Sequence, residues 1–288
     1  MNSSSSETLR SRPVALITGS SSGFGLQTSI ALAQHGYKVI ASMRSVEKQG
    51  RLQEQAHLAG VSEHIHVFSL DVTQVDSIER AIKTIMDHFG SIDIVVNNAG
   101  CVIGGFVEEV DRQGWYDQME TNFFGTVAVT QAVLPIMRQQ RYGKIINISS
   151  VSGLSGYPGY APYASSKFAV EGFTESLRLE MLPYGVYAVL VEPGPYQTDI
   201  WDKAMKVVHA PEHSPYRAQI DAVLRFSQQT AKQAPPATEV AQCIVRIAGM
   251  SKPKLRYLLG KEAKIGQLLR RILPWKWYER ILLKVLSR

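Results

Sequence analysis

Cysteine is scarce in this chain of 288 residues, with Cys101 and Cys243 the only two. Two cysteines cannot form a disulfide framework, and these have no metal-ligand spacing, so a reducing, cytoplasmic setting is the simplest fit. Long apolar runs are missing too: no stretch approaches the roughly 20 residues that cross a bilayer. The opening MNSSSSETLRSRP lacks the apolar segment of a signal peptide and reads as a flexible polar arm over residues 1–12. Seven histidines, His64 and His66 among them, form no HExxH or comparable pattern, so no metal site is expected. The absence of GxxxxGK[ST] excludes an ordinary phosphate-loop NTPase.

Most of the chain also lacks a charge excess. Thirty-one Lys and Arg stand against 25 Asp and Glu, a net of +6. Residues 261–288 alone hold eight basic side chains against Glu262 and Glu279, also +6. The body is therefore neutral and offers no broad basic face, which argues against nucleic-acid binding. In the basic tail, Ile265, Leu268, Leu269 and Ile272 form one apolar stripe, Pro274 interrupts, and Trp275, Tyr278, Leu282 and Val285 form another. Three readings stay open: a helix pair lying peripherally on an anionic membrane surface, a cap over a substrate cleft, or a face packed on a partner subunit.

What the chain does have is alternation. Residues 14–18, 38–42, 65–70, 92–97 and 144–149 are short apolar runs of the kind that form buried strands. Residues 24–35, 46–58 and 74–89 carry apolar side chains at helical spacing, with Thr73 predicted as the N-cap of the third and Asp76 in its first turn. Long helices are predicted over 112–140 and 163–182, a strand over 186–192, a helix over 237–250 and a last strand over 255–259. Parallel neighbours need crossover connections, so the pattern predicts a doubly wound α/β fold, one domain over residues 13–260.

The first strand runs into TGSSSGFG, residues 18–25, and then a helix. Gly19 permits the sharp turn, Gly23 a close approach of backbone N–H groups to a pyrophosphate, and Gly25 tight helix-to-strand packing. Further on come NNAG at 97–100, Ser150, YASSK at 163–167 and Pro193-Gly194. In order and spacing these motifs resemble the classical short-chain dehydrogenase/reductases, in register over about residues 13–200. The resemblance implies a Rossmann fold with a seven-stranded parallel sheet, a nicotinamide dinucleotide cofactor, and a homodimer or homotetramer.

It also implies site residues. Ser21, Ser22 and Phe24 belong to the cofactor loop, Asp71 and Val72 lie near the adenine, and Asn98, Ala99 and Gly100 run beside the cofactor, while Asn97 ties neighbouring strands together. Pro193, Gly194 and Thr198 meet the nicotinamide end. PGPYQT carries an extra proline and a tyrosine where many relatives have a smaller apolar residue, which leaves the geometry of that loop open. The end of the second strand reads ASMRS, without the acid that would bond a ribose 2′-hydroxyl, and Arg44 offers a planar donor fork to a 2′-phosphate. NADP(H) is the expected cofactor, with Ser21 as a second phosphate contact.

Three tyrosines, Tyr157, Tyr160 and Tyr163, sit at intervals of three, but only Tyr163 has a lysine four residues on. It also lies thirteen residues after Ser150, the family spacing, so Tyr163, Lys167 and Ser150 are the expected catalytic set, with Asn122 as a fourth member ordering a water on the lysine. Tyr157 and Tyr160 are expected to line or cover the cleft. A phenol with an ordinary pKa of about 10 needs a nearby cation to ionise near neutrality, and Lys167 one turn along is expected to supply it. Residues 196–235 are expected to fold over the cleft as a lid, with Trp201, Met205, Val207, Val208 and Tyr216 offering apolar contacts. The expected activity interconverts a hydrophobic alcohol with its ketone or aldehyde, of steroid, retinoid or long-chain type. A non-catalytic dinucleotide sensor, or a lyase or epimerase on the same fold, is the alternative.

Overall fold

The computed structural model describes residues 12–201, 208–209, 211 and 213–286. Nearly all of the polar arm, with Met205 and Val207 of the expected lid, lies outside them. Seven parallel strands form one sheet: β1 (Val14–Ile17), β2 (Lys38–Met43), β3 (Ile65–Ser69), β4 (Ile94–Asn97), β6 (Gly143–Ile148), β7 (Val186–Pro193) and β9 (Arg256–Leu259), in the order β3-β2-β1-β4-β6-β7-β9. Two short strands, β5 (Gly104–Gly105) and β8 (Val208–His209), pair separately.

Helices cover both faces of the sheet, which explains why its central strands read as largely apolar runs rather than alternating ones. VALI of β1 and GKIINI of β6 are buried at every position. Each such Val, Leu or Ile contributes roughly 1.5–3 kcal/mol by leaving water. On one face β1 and β4 pack with α1 (Gly23–Gln34) and α8 (Thr238–Gly249). On the other, α3 (Val75–Phe89) turns Ile78, Ala81, Ile82 and Ile85 onto Leu16, Val95 and Ile145. The chain leaves β1 in one direction across the sheet and β4 in the other, so a crevice opens between their carboxyl ends, the usual ligand position in such sheets.

Several boundaries differ from expectation. The segment 46–58 is a 3₁₀ turn, Val46–Gln49, followed by α2 (Gly50–Leu58). Gln74, not Thr73, is the N-cap of α3, because Thr73 is already tied back to Asp71. The long helix over 112–140 is interrupted: α4 (Arg112–Met119) passes into a π-turn, Glu120–Phe124, before α5 (Gly125–Gln140). Beyond α6 (Ala161–Met181) lie α7 (Arg217–Gln233), α9 (Lys261–Ile272) and α10 (Trp275–Leu286).

Candidate active site

At the end of β1, Thr18 is buried and its hydroxyl accepts the backbone N–H groups of Asn98 and Ala99, each at 3.0 Å. Asn98 answers with its carboxamide, donating to the carbonyls of Thr18 at 2.8 Å and Gly19 at 3.1 Å. The loops after β1 and β4 are thus bound together across the crevice. Gly19 has φ +71°, and a Cβ there would sit 2.8 Å from Ala99 Cα. One on Gly25 would come 2.5 Å from Asn98 Nδ2. Only bare backbone fits this cradle, and the first turn of α1 above it holds no acid to oppose an anion.

Around the cradle, Gly23 faces Thr198, whose Cβ lies 3.4 Å from where a glycine side chain would start. Ser21, Ser22 and Phe24 are half-buried in the loop. Arg44 follows β2, is exposed, and has no ion-pair partner among the described residues. Asp71 is occupied locally: its Oδ1 accepts from Thr73 N at 3.0 Å and Thr73 Oγ1 at 2.8 Å, so in this structure it shapes a turn. Val72 packs where Gly125 lacks a side chain. Asn97 ties strands as expected, donating to Asn147 Oδ1 at 2.8 Å and Thr130 Oγ1 at 3.1 Å. The space and the donor set suit a dinucleotide.

Pro162 opens α6, and Tyr163 and Lys167 follow one turn apart. Lys167 is buried and gives a hydrogen bond to the Ile148 carbonyl at 2.8 Å, which fixes its chain beside the end of β6. Ser150 lies just past that strand and bonds to the Tyr163 side chain. Burial dominates both titrations. It pushes the Tyr163 phenol up to about 12, against the pull of Ser150. It also brings Lys167 down to about 8, opposed by the negative charge Cys101 and Glu171 would carry. Burial therefore outweighs the Ser150 hydrogen bond, and the phenol lies above rather than below its ordinary value.

Asn122 sits in the π-turn, where the locally widened helix aims its side chain at the β4 loop. Its Oδ1 accepts from Cys101 N at 2.9 Å, and its Nδ2 donates to Cys101 O at 3.0 Å and Ser166 Oγ at 3.1 Å. The carboxamide therefore holds the segment after Gly100 against α6 at Ser166, whose hydroxyl donates to the Tyr163 carbonyl at 2.7 Å.

Above the Ser150 and Tyr163 side chains lies a largely apolar cavity of about 290 Å³. Tyr157 and Tyr160 line it, as do Pro193, Gly194, Thr198 and Trp201. The loop left open by the sequence is resolved: Tyr196 is buried, meets Phe24 edge-on at 5.9 Å and donates to Glu239 at 2.8 Å. Of the expected lid, Trp201 and the α7 residues Val223, Phe226, Ser227 and Thr230 wall the cavity, whereas Tyr216 stacks on Phe106 at 4.8 Å, outside it.

The tail takes part directly. Ala263, Gly266 and Gln267 of α9 and Tyr278 of α10 line the same cavity, and Tyr278 shares a 2.8 Å hydrogen bond with Ser155. One of the three readings, the cap, is thus realised. Sequence reasoning did not single out Thr18 as a clamp, although the threonine heading the glycine loop was a visible signal; Tyr278 belongs to the apolar stripe of the tail and α7 falls within the segment expected to fold over the cleft.

A cradle of this shape at the switch point is what a Rossmann dinucleotide-binding domain presents to a pyrophosphate. The family model described as short chain dehydrogenase matches residues 13–209. The chain belongs to the short-chain dehydrogenase family. It is 42% identical to an uncharacterized oxidoreductase, YusZ, of Bacillus subtilis, over 96% of this chain and 99% of that one. It is 36% identical to retinol dehydrogenase 8 of Bos taurus, over 84% of this chain and 79% of the relative. Among solved structures, ElxO with NADP bound superposes with a TM-score of 0.72 at 28% identity, covering 86% of this chain and 96% of that one. A Burkholderia phymatum member in complex with NAD gives 0.79 at 26%, covering 90% and 93%. The protein is an oxidoreductase of this family, and two of the solved structures it resembles hold NADP and NAD.

Proposed function

We propose that the protein is an NADP(H)-dependent oxidoreductase that interconverts a hydrophobic alcohol and its ketone or aldehyde, of steroid, retinoid or long-chain type. The carrying observation is the cavity: its apolar walls surround the hydroxyls of Ser150 and Tyr163, so an apolar substrate enters with its one oxygen directed at those two groups. Similarity to a retinol dehydrogenase supports the same substrate class.

The cofactor supplies hydride transfer when bound. Gly19, Ser21, Ser22, Gly23, Phe24 and Gly25 would hold its pyrophosphate side, and Arg44, without an ion-pair partner among the described residues, its 2′-phosphate. Asp71, Val72, Asn98, Ala99 and Gly100 would flank the adenosine and the central crevice, and Pro193, Gly194 and Thr198 the nicotinamide end. Tyr163 donates a proton to the substrate oxygen during reduction and accepts one during oxidation. Ser150 hydrogen-bonds the same oxygen as charge builds on it. Lys167 steadies the phenolate and would hold the nicotinamide ribose, and Asn122 would order a water through which the lysine exchanges protons. Copies associate as a dimer or tetramer through the long helices α5 and α6.

The test is the decay of NADPH absorbance with a panel of apolar ketones and aldehydes. Stoichiometric, substrate-dependent consumption is expected. Bound NADPH without consumption across the panel would favour a sensor, or a lyase or epimerase, instead.

A further inference from the structure

The two tail helices have two faces, and the cavity accounts for one. Along α9, Ala263, Gly266 and Gln267 line the cavity. Ile265, Leu268, Leu269 and Ile272 lie on the opposite side of the same helix and are exposed by 40–68%. Along α10, Tyr278 is buried against Ser155, whereas Trp277 and Ile281 point outward, 62% and 44% exposed. Eight of the twenty exposed large apolar side chains among the described residues fall between Ile265 and Leu283. Patches of that density on a soluble surface mark an interaction site.

Charge selects the occupant. Lys264 and Arg271 flank the outer stripe of α9, and Lys276 and Arg280 border Trp277 on α10; all four are exposed. The tail carries the net +6 of the whole chain. A second copy meeting this face about a two-fold axis would bring +6 against +6 and place like charges around the apolar contact. A polyanion such as nucleic acid would satisfy the lysines and arginines and leave tryptophan, isoleucine and leucine in water. An anionic lipid bilayer satisfies both: headgroups meet the basic flanks while the apolar residues enter the boundary with the acyl chains, where tryptophan is favoured.

We infer that the outer face of α9 and α10 docks on the surface of an anionic phospholipid bilayer, so that the roof of the cavity rests against the membrane. Nothing in this inference depends on the reaction proposed above, and its readout is independent of turnover.

The full-length protein is floated through a density gradient with vesicles of phosphatidylcholine, with and without phosphatidylglycerol. Flotation is expected with the anionic vesicles only, and to fall as salt is raised. The double variant Ile265→Glu, Trp277→Glu is expected to lose about ten-fold or more in vesicle partitioning. Its melting temperature and gel-filtration volume should match those of the parent. Failure of the parent to float with anionic vesicles overturns the inference, as does flotation of the double variant to the parent's extent. A parent dimer that the variant splits into monomers overturns it as well, by showing that a second copy covers this face.

Discussion

The Lys167 ammonium lies 5.7 Å from the centroid of the Tyr163 ring while its hydrogen bond goes to the Ile148 carbonyl. The lysine is therefore anchored to the sheet and presents its charge across the ring one helical turn earlier. A phenol held near 12 is protonated throughout the neutral range, which suits it to donate a proton to a carbonyl oxygen.

Replacing Tyr163 with Phe removes that proton and nothing else of bulk. Turnover in the reductive direction is expected to fall by roughly 10²–10⁴-fold. The melting temperature and the binding of NADPH, followed by fluorescence titration, should stay near those of the parent. Full turnover by a folded, cofactor-saturated Tyr163→Phe protein would refute the assignment.

The charge on Lys167 is the half of the pair that titrates within reach. Its pKa is brought down to about 8, so the ammonium is present below that pH and lost above it. Donation by Tyr163 leaves a phenolate that needs this cation, so the reductive kcat is expected to be level up to about pH 8 and to decline beyond. Lys167→Met should abolish that limb along with most of the rate. A profile that stays flat well past pH 8 in the parent would show that the lysine charge is not used.

Arg44→Asp exchanges a donor fork for a carboxylate at the end of β2. A charge-assisted hydrogen bond is worth roughly 1.5–3 kcal/mol, so the affinity for NADPH is expected to fall by about 10- to 150-fold. Affinity for NADH should hold or improve, since the new acid can bond a ribose hydroxyl. Parallel titrations of parent and variant with the two cofactors decide it.

Glu171, one turn beyond Lys167, shares Arg256 with Glu175 and Glu192. Burial, reinforced by Glu192, raises its carboxyl to about 7 against the pull of Ser149 and Arg256. A folded-state pKa above the unfolded one means that this group favours the fold fully below about 4.5. That contribution is lost as pH rises through about 7. Denaturant midpoints measured from about pH 5 to about pH 8 should therefore fall more steeply in the parent than in Glu171→Gln. Equal slopes would remove Glu171 from the pH dependence.

What the sequence could reveal was whatever is written within a few residues. β1 and β6 were legible because burial on both faces favours largely apolar runs over alternation, and Tyr163, Lys167 and the glycine loop because their geometry is one turn long. The π-turn at Asn122 was hidden because one extra residue in a turn scarcely disturbs the periodicity of the flanking helices. The Thr18–Asn98 clamp, the Ser155–Tyr278 bond and the sharing of Arg256 by three carboxylates join distant residues, and no local pattern encodes them. The direction in which burial moves the phenol was illegible for a related reason: the lysine is visible at i+4, whereas depth of burial belongs to the assembled fold.

A ribosome makes the Phe24 side of the binding chamber early and the Tyr278 side late. The nascent sheet therefore acquires most of its strands while the chamber is still a doorless trough. A polypeptide cut short after the last strand would keep all seven strands and lose one whole side of the room.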